Sequence, residues 1–238
     1  MATESPDAAA IVARLEALAS PADAAGMARF GIHGARVLGV PVKTLRTIAR
    51  ETGRSHALAE ALWAAGIHEA RILASIIAEP KRIDLAQMER WAIDLDSWDL
   101  CDQCCTNLWV RTPFAREQAL AWSDRSEEFV KRAGFVLMAQ VASKDRGAGA
   151  ELLLRYLIRA EQAAGDERNF VKKAVSWAMR EIGQRGAALN AAAVAAAQRL
   201  EESDARAARW VGSDVLRELT RDLIAQRVAR REERAGGQ

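Results

Sequence analysis

The pentapeptide Phe129-Val130-Lys131-Arg132-Ala133 recurs as Phe170-Val171-Lys172-Lys173-Ala174, 41 residues further along the chain. Each copy opens the second helix of a predicted helical pair, and short connections join the pairs. A repeat of about 40 residues is typical of helical solenoids, in which neighbouring repeats bury each other's apolar faces. The pentapeptides therefore predict stacked helical hairpins rather than a closed bundle.

The composition favours helices along the whole chain. Half of the 238 residues are hydrophobic, but many of these are alanines, which favour helices, and no run of alternating Val, Ile and Thr resembles a strand. We predict an all-α fold, an α-solenoid of about six HEAT-like helical hairpins with a concave face. Residues 1–226 are expected to form a single repeat domain, and residues 227–238 a basic, disordered tail.

The chain shows no sign of a membrane span, a signal peptide or a metal site. No segment approaches the roughly 18 consecutive apolar residues of a membrane helix, and the first residues lack a basic stretch followed by an apolar one, so we expect a cytoplasmic protein. Cys101, Cys104 and Cys105 lie within about one helical turn and cannot form a disulfide framework. Zinc would need a fourth ligand, and His68 stands in no ligand-spacing motif with them, so we predict buried cysteines and no metal.

The two parts of the chain differ in charge. Residues 1–128 carry 14 Lys and Arg against 18 Asp and Glu, a net charge of −4, whereas residues 129–238 carry 20 against 14, a net charge of +6. The basic pairs Lys131-Arg132 and Lys172-Lys173 fall at equivalent places in two neighbouring repeats. Together they predict a basic stripe that suits spaced phosphates, although a solvated helix face would explain either pair alone.

A second informative stretch is Asp96-Ser97-Trp98-Asp99-Leu100-Cys101-Asp102. Asp96 is the expected N-cap of a helix, and Asp99 places negative charge in its first turn, where the helix dipole favours it. Trp98 and Asp102 are four residues apart and share a face. An indole beside a carboxylate suits a positively charged or cation-developing ligand, whereas the alternative is a buried tryptophan at a capped helix start.

These motifs, taken in order, resemble those of one known family. The series Trp-Asp-Leu-Cys-Asp (98–102), Phe-Val-Lys-Arg-Ala (129–133) and Phe-Val-Lys-Lys-Ala-Val-Ser-Trp-Ala-Met-Arg (170–180) is similar to that of the AlkD-type DNA alkylation repair family, the HEAT-like repeat DNA glycosylases. The resemblance covers roughly residues 25–222. It implies a hydrolase that removes N3- and N7-alkylated purines from duplex DNA without a base-flipping pocket, and that needs no metal or organic cofactor. We accordingly expect a monomeric, nucleoid-associated protein whose concave face binds DNA.

The resemblance also implies roles for individual residues. The family's catalytic aspartate falls on Asp102, its two lesion-facing tryptophans on Trp98 and Trp177, and its phosphate-binding arginine on Arg132. The other DNA-binding residues are expected in the basic pairs and on the turn after Trp177; they are Lys131, Lys172, Lys173 and Arg180. The chain departs from the family at Phe129, where members often carry Trp, so less area is available for stacking.

The chemistry of such a site follows from the charge of its substrate. A purine alkylated at N3 or N7 is already cationic and leaves without a general acid acting on the base. The deoxyribose then develops oxocarbenium character, which the Asp102 carboxylate would stabilise while it orients the attacking water. The indole faces of Trp98 and Trp177 would add attractions on the order of 1 kcal/mol each.

Two other functions stay open from the sequence. The same concave face would also suit a non-catalytic binder of branched or damaged DNA, and a HEAT-like solenoid is commonly a scaffold for protein partners. Base release, DNA binding without base release, and protein binding without DNA binding distinguish the three functions.

Several further residues are expected to have structural roles. His33, His56 and His68 are scattered, which indicates surface or capping positions. Glu69 and Arg71 would lie on the concave face or form a surface ion pair. Four tryptophans with apolar neighbours at helical spacing are predicted to lie in the core: Trp63, Trp91, Trp109 and Trp122.

Overall fold

The computed structural model describes residues 7–34 and 36–236, without the side chains of residues 227 and 231–236. Within these residues the regular structure consists of 14 α-helices and two short 3-10 helices, with no strand. The all-α fold predicted from the composition is confirmed. No helix in the described part of the chain is long and apolar enough to cross a membrane.

The first of two compact units spans Met1–Pro113. Its helices are α1 (Ala8–Ala17), α2 (Pro21–Ala28), α3 (Val42–Thr52), α4 (His56–Ala64), α5 (His68–Ile77), α6 (Leu85–Ile93) and α7 (Trp98–Asn107), with 3-10 helices at Pro80–Arg82 and Trp109–Arg111. Helix α5 packs against α3, α4 and α7 and is therefore the centre of this unit.

Polar side chains of the first unit connect residues about thirty positions apart in sequence. The Trp63 Nε1 group donates to Asp94 Oδ2 at 2.8 Å across 31 residues, and the Asn107 side-chain amide donates to Ser75 Oγ across 32. The indoles of Trp63 and Trp91 stack in parallel with their centroids 4.0 Å apart. All four tryptophans predicted to lie in the core are buried.

The second unit spans Phe114–Gln238. Its helices are α8 (Ala115–Ser123), α9 (Glu128–Lys144), α10 (Ala150–Ala163), α11 (Asn169–Gly183), α12 (Ala187–Glu201), α13 (Arg206–Leu219) and α14 (Asp222–Gly236). The pairs α8 with α9, α10 with α11, and α12 with α13 pack as hairpins, and α9, α11 and α13 pack in series. The two pentapeptides occupy the first turns of α9 and α11, as the repeat predicts.

Contacts between these hairpins repeat at the spacing seen in the sequence. The Arg185 guanidinium donates to the carbonyls of Ala142, Asp145 and Ala148, which lie 43, 40 and 37 residues earlier. These acceptors lie at and just beyond the C-terminus of α9, where carbonyls lack intrahelical donors. The rings of Phe129 and Phe170 lie 5.8 Å apart, so the first residues of the two pentapeptides are in contact.

A glycine permits the close approach of α8 and α9. A Cβ at Gly134 would lie 2.4 Å from the Ser123 backbone nitrogen and 2.8 Å from the Trp122 carbonyl carbon. Both distances are shorter than van der Waals contact, so no larger residue fits at this crossing without moving the backbone.

The last helix differs from the expectation for the C-terminus. Helix α14 runs through most of the segment for which the sequence predicts a disordered tail, and residues 237 and 238 lie outside the described residues. Ile224 and Val228 are buried and lie four residues apart, which continues an apolar helical face into the arginine-rich segment.

Candidate functional site

Helix α7 has its core residues on one face and the predicted catalytic pair on another. Its core face consists of Leu100, Cys101, Cys104 and Cys105, all fully buried. The prediction that the three cysteines are small buried side chains is confirmed, and no group of three or more possible metal ligands occurs among the described residues. Because Trp98 and Asp102 share the i, i+4 relation, they lie together on another face of the helix.

That face of α7 lines a cavity of about 710 Å³ in the first unit. Trp98 and Asp102 are half-buried, and apolar side chains such as Met27, Ile32 and Ile72 line the same cavity. The Trp98 Nε1 group donates to the Phe30 carbonyl at 2.9 Å, which fixes the indole at the wall. The Phe30 side chain is 72% exposed and also lines the cavity. An indole and a carboxylate thus border one largely apolar space.

A buried ion pair lies beside the predicted catalytic residues. His68 Nε2 and Asp99 Oδ2 are 2.9 Å apart, and the His68 side chain is fully buried. Burial opposes both charges, but the mutual hydrogen bond and the charge of the partner outweigh it. The pKa of His68 is therefore raised above 6.5 and that of Asp99 is lowered below 3.8. The predicted surface or capping role of His68 is wrong. Asp99 not only places negative charge in the first turn of α7 but also pairs with His68.

Glu69 fixes the backbone that borders the cavity. Its carboxylate is fully buried and accepts hydrogen bonds from the backbone N–H groups of Leu38, Gly39 and Val40 at 2.7–3.3 Å. Gly39 has a φ of +80°, and a Cβ there would lie 2.3 Å from the Ser20 carbonyl oxygen. The predicted surface ion pair of Glu69 with Arg71 is therefore wrong, because this buried carboxylate joins α5 to the segment that precedes α3.

The start of α7 also differs from the prediction. Ser97, rather than Asp96, is the N-cap residue, and its side chain makes no capping hydrogen bond. One carboxylate oxygen of Asp96 lies 3.9 Å from the guanidinium of Arg71, which also donates to the Asp94 carbonyl. Asp96 thus contributes to a contact between α5 and the residues before α7 instead of capping the helix.

The residues predicted on α11 lie in the second unit. Trp177 is half-buried, and its Nε1 group donates to Glu181 Oε1 at 3.2 Å. The Arg180 guanidinium lies 2.5 Å from a Glu218 carboxylate oxygen and 3.6 Å from Asp214. Arg180 therefore contacts two carboxylates of α13 within the protein.

The basic pairs have unequal environments. Arg132 is only 5% exposed and donates from its Nη1 atom to the Phe170 carbonyl at 2.6 Å. Lys131 Nζ lies 3.0 Å from Asp166 Oδ2, and Lys172 Nζ lies 5.3 Å from the centroid of the Trp210 ring. Lys173 is exposed. Although the two pairs are equivalent in the backbone, three of the four side chains have partners within the protein.

The Asp166 carboxylate connects a turn of the second unit to α9. Hydrogen bonds from Arg168 and Lys131 and the charge of Lys131 hold the pKa of this carboxyl well below its usual range. Lys131 is thus neutralised locally, which sets it apart from the exposed Lys173.

The structure brings together some of the predicted residues and adds others. Trp98 and Asp102 line one cavity in the first unit, and the residues of α9 and α11 lie on packed helices of the second unit. The pair His68 and Asp99 was missed, although its separation of 31 residues equals that of Trp63 and Asp94. No sequence pattern reports this spacing, because it depends on how α5 packs against α7.

Comparisons with known proteins place the chain in a family. The family model described as "DNA alkylation repair enzyme" matches residues 11–228. One solved structure, from a report of a new family of proteins related to the HEAT-like repeat DNA glycosylases with affinity for branched DNA structures, matches with a TM-score of 0.75. It shares 20% sequence identity with the chain, covering 89% of this chain and 95% of that one, and confirms the predicted HEAT-like fold. No curated protein matches significantly. The chain belongs to the DNA alkylation repair enzyme family.

Proposed function

We propose that the protein is a DNA glycosylase that hydrolyses the N-glycosidic bond of cationic N3- and N7-alkylated purines in duplex DNA. The observation that carries the proposal is the position of Asp102 and Trp98, which together border an open, largely apolar cavity. Membership of the DNA alkylation repair family supports a reaction on alkylated DNA.

The proposed reaction begins with an alkylpurine that already carries positive charge. The glycosidic bond breaks, its electron pair goes to the purine, and the base leaves as a neutral molecule. The positive charge moves to the deoxyribose, which becomes oxocarbenium-like. A carboxylate in a site of low polarity stabilises this charge more than it would in water.

Among the carboxylates at the cavity, Asp102 is the one we assign to the sugar. It lies on the same face of α7 as Trp98, lines the same cavity, and occupies the position of the catalytic aspartate in the Trp-x-x-x-Asp motif. Asp102 would also orient the water that attacks the sugar carbon, and the water's proton passes to solvent. Trp98, held by its bond to the Phe30 carbonyl, would present its ring to the sugar or the cationic base.

DNA contacts in the second unit form part of the proposal. Lys173 is the exposed member of the basic pairs. The remaining proposed contacts, each with a partner inside the protein, are Lys131, Arg132, Lys172 and Arg180, with Trp177 as a further aromatic contact. For these residues to bind DNA, phosphates would have to replace their partners inside the protein. We therefore expect the largest contribution from Lys173.

The test is release of 7-methylguanine and 3-methyladenine from methylated duplex DNA. We expect wild-type protein to release base and Asp102→Asn to be about a hundredfold slower, since loss of one such electrostatic interaction costs about 3 kcal/mol of transition-state stabilisation. Duplex affinity should be retained in this variant. Asp23→Asn removes an exposed carboxylate at the same cavity and should keep the wild-type rate. An undiminished rate in Asp102→Asn, or no release by wild type, contradicts the proposal.

A second candidate function is binding of branched DNA without catalysis. It is favoured by the structural similarity to a protein from a family described as having affinity for branched DNA. This function predicts a clear preference for a four-way junction over a duplex in a gel-shift assay, together with no base release. Binding of a protein partner without any DNA binding at low salt would instead indicate a protein scaffold.

A further inference from the structure

The first unit contains a groove lined by arginines that the sequence patterns did not single out. It has a volume of about 410 Å³ and is bordered by Arg46, Arg50 and Arg54. The other lining residues are small or aliphatic and belong to α3, to the glycine at its end, and to α5. Arg46 and Arg50 lie four residues apart on α3, and Arg54 follows Gly53, at which the helix ends. All three arginines are exposed.

The contacts of these arginines are with neutral groups. Arg46 contacts Gln103 Oε1 at 3.4 Å, Arg50 donates to Thr47 Oγ1 at 3.0 Å, and Arg54 donates to the Ala78 carbonyl at 2.5 Å. None of the residues that line the groove is acidic. Among the ion pairs of the described residues, none includes any of the three.

Some other exposed arginines of the same unit have acidic partners. Each of three is paired with a carboxylate: Arg14 with Glu51, Arg82 with Glu79, and Arg90 with Glu60. The arginines of the groove thus concentrate positive charge in the part of the chain whose net charge is negative. Guanidinium groups one turn apart repel each other, and an anion between them would relieve that repulsion.

The groove and the cavity that contains Asp102 are lined by residues one helical turn apart. Along α3, Val42 lines the cavity and Arg46, one turn later, lines the groove. Along α5, Ile72 lines the cavity and Ile76 lines the groove. Gln103, which Arg46 contacts, follows Asp102 directly and lines the cavity. A polymer that enters the cavity therefore has a basic path beside it.

The spacing of the arginines suits a nucleic-acid strand. Arg46 and Arg50 are separated by one helical turn, about 6 Å at the rise of a helix, and Arg54 follows just beyond the end of α3. The row therefore offers one guanidinium group to each of about three phosphates of one strand. Guanidinium groups bind phosphate oxygens in a planar, often bidentate geometry.

We propose that Arg46, Arg50 and Arg54 form a phosphate-binding row that holds one DNA strand next to the Asp102 cavity. This inference rests on the proposed function only in taking DNA as the ligand. It assigns a DNA contact to the first unit, whereas the sequence patterns place the phosphate contacts in the second.

The experiment measures duplex DNA affinity at several salt concentrations by fluorescence anisotropy, using an undamaged labelled duplex. Three phosphate contacts contribute about 2.7 to the slope of log affinity against log salt. The affinity ratio of wild type to Arg46→Gln/Arg50→Gln/Arg54→Gln should therefore fall about 40-fold between 50 and 200 mM salt. The matched control, Arg14→Gln/Arg82→Gln/Arg90→Gln, removes the same charge from paired arginines and should keep the wild-type slope.

A charge-conserving variant distinguishes loss of charge from misfolding. Arg46→Lys/Arg50→Lys/Arg54→Lys should retain a slope close to wild type, because the positive charges remain. An unchanged slope in the folded Gln variant, an equal loss in the matched control, or no DNA binding by wild type overturns the inference. Base release is measured separately. If wild type binds DNA with the expected slope but releases no base, the phosphate row stands and the glycosylase proposal fails.

Discussion

The pair of His68 and Asp99 joins the centre of the first unit to the helix of the predicted catalytic residues. Asp99 lies between Trp98 and Asp102 in sequence, and its partner is on α5. The two side chains are largely buried, so removal of one partner leaves the other charge without compensation. We therefore expect this pair to help hold α7 against α5 at the cavity.

The contribution of this pair to stability should depend on pH. The pKa of His68 is raised above 6.5, so its contribution is fully present below that value and is lost as the pH rises through the folded-state pKa. The pKa of Asp99 is lowered below 3.8, so its contribution is present above that value and is lost as the pH falls through the folded-state pKa. We expect His68→Gln to lower the free energy of unfolding by about 3 kcal/mol between these limits and by less at alkaline pH.

Urea denaturation of wild type and His68→Gln over a range of pH values measures this difference. His33→Gln, which removes an exposed imidazole, should leave stability nearly unchanged at each pH. A stability loss in His68→Gln that is equal in weakly acidic and alkaline solution would show that the charge of the histidine is not involved.

The common face of Trp98 and Asp102 is a residue-scale prediction that needed only one helix, whereas the pairing of His68 with Asp99 involves two. The common face of Trp98 and Asp102 follows from their i, i+4 spacing and from the helix alone. The pairing of His68 with Asp99 depends on how α5 packs against α7, across 31 residues, and no local pattern reports that distance. The same reason explains why the buried role of Glu69 was missed.

At the scale of helices, equivalent backbones did not produce equivalent side-chain environments. The pentapeptides correctly predict that α9 and α11 are corresponding elements. Lys131, however, meets Asp166 in the turn before α11, whereas Lys172 lies over Trp210 of α13. The partners are supplied by segments that do not repeat in sequence, so the pentapeptide could not reveal them.

This difference predicts unequal roles for two lysines in DNA binding. Lys173→Gln should reduce the slope of log affinity against log salt by about 0.9, as expected for the loss of one phosphate contact. Lys131→Gln should change the slope less, because Asp166 already neutralises that lysine. Titrations of a labelled duplex at several salt concentrations compare the two. A larger effect of Lys131→Gln would mean that DNA displaces Asp166 from Lys131.

For the whole molecule, the two compact units have different internal spacings. Several side-chain contacts between elements span 30 to 32 residues in the first unit, as for Trp63 with Asp94, whereas several in the second unit span about 40, as for Arg185 with Asp145. The sequence repeat of 41 residues describes only the second unit. The fold class was predictable from helical patterning throughout, but the division into units was not, because the first unit contains no copy of the pentapeptide.

Stability in repeat proteins is approximately a sum of local contributions, so a defect in one unit should remain largely within it. In Gly134→Ala the new methyl group meets the backbone of Trp122 and Ser123, and we expect a loss of about 2 kcal/mol in the free energy of unfolding. Gly149→Ala is the matched control, because nothing lies within 4 Å of a Cβ at that position.

Hydrogen exchange read at individual helices tests how far the defect extends. In Gly134→Ala the amides of α8 and α9 should exchange faster, whereas those of α5 should keep wild-type rates, because each unit has its own buried core. Equal loss of protection in α5 and α9 would instead show that residues 1–226 unfold as the single cooperative domain predicted from the sequence. In that case the effect of His68→Gln should also reach α9, since both substitutions would then lower the stability of one common folded state.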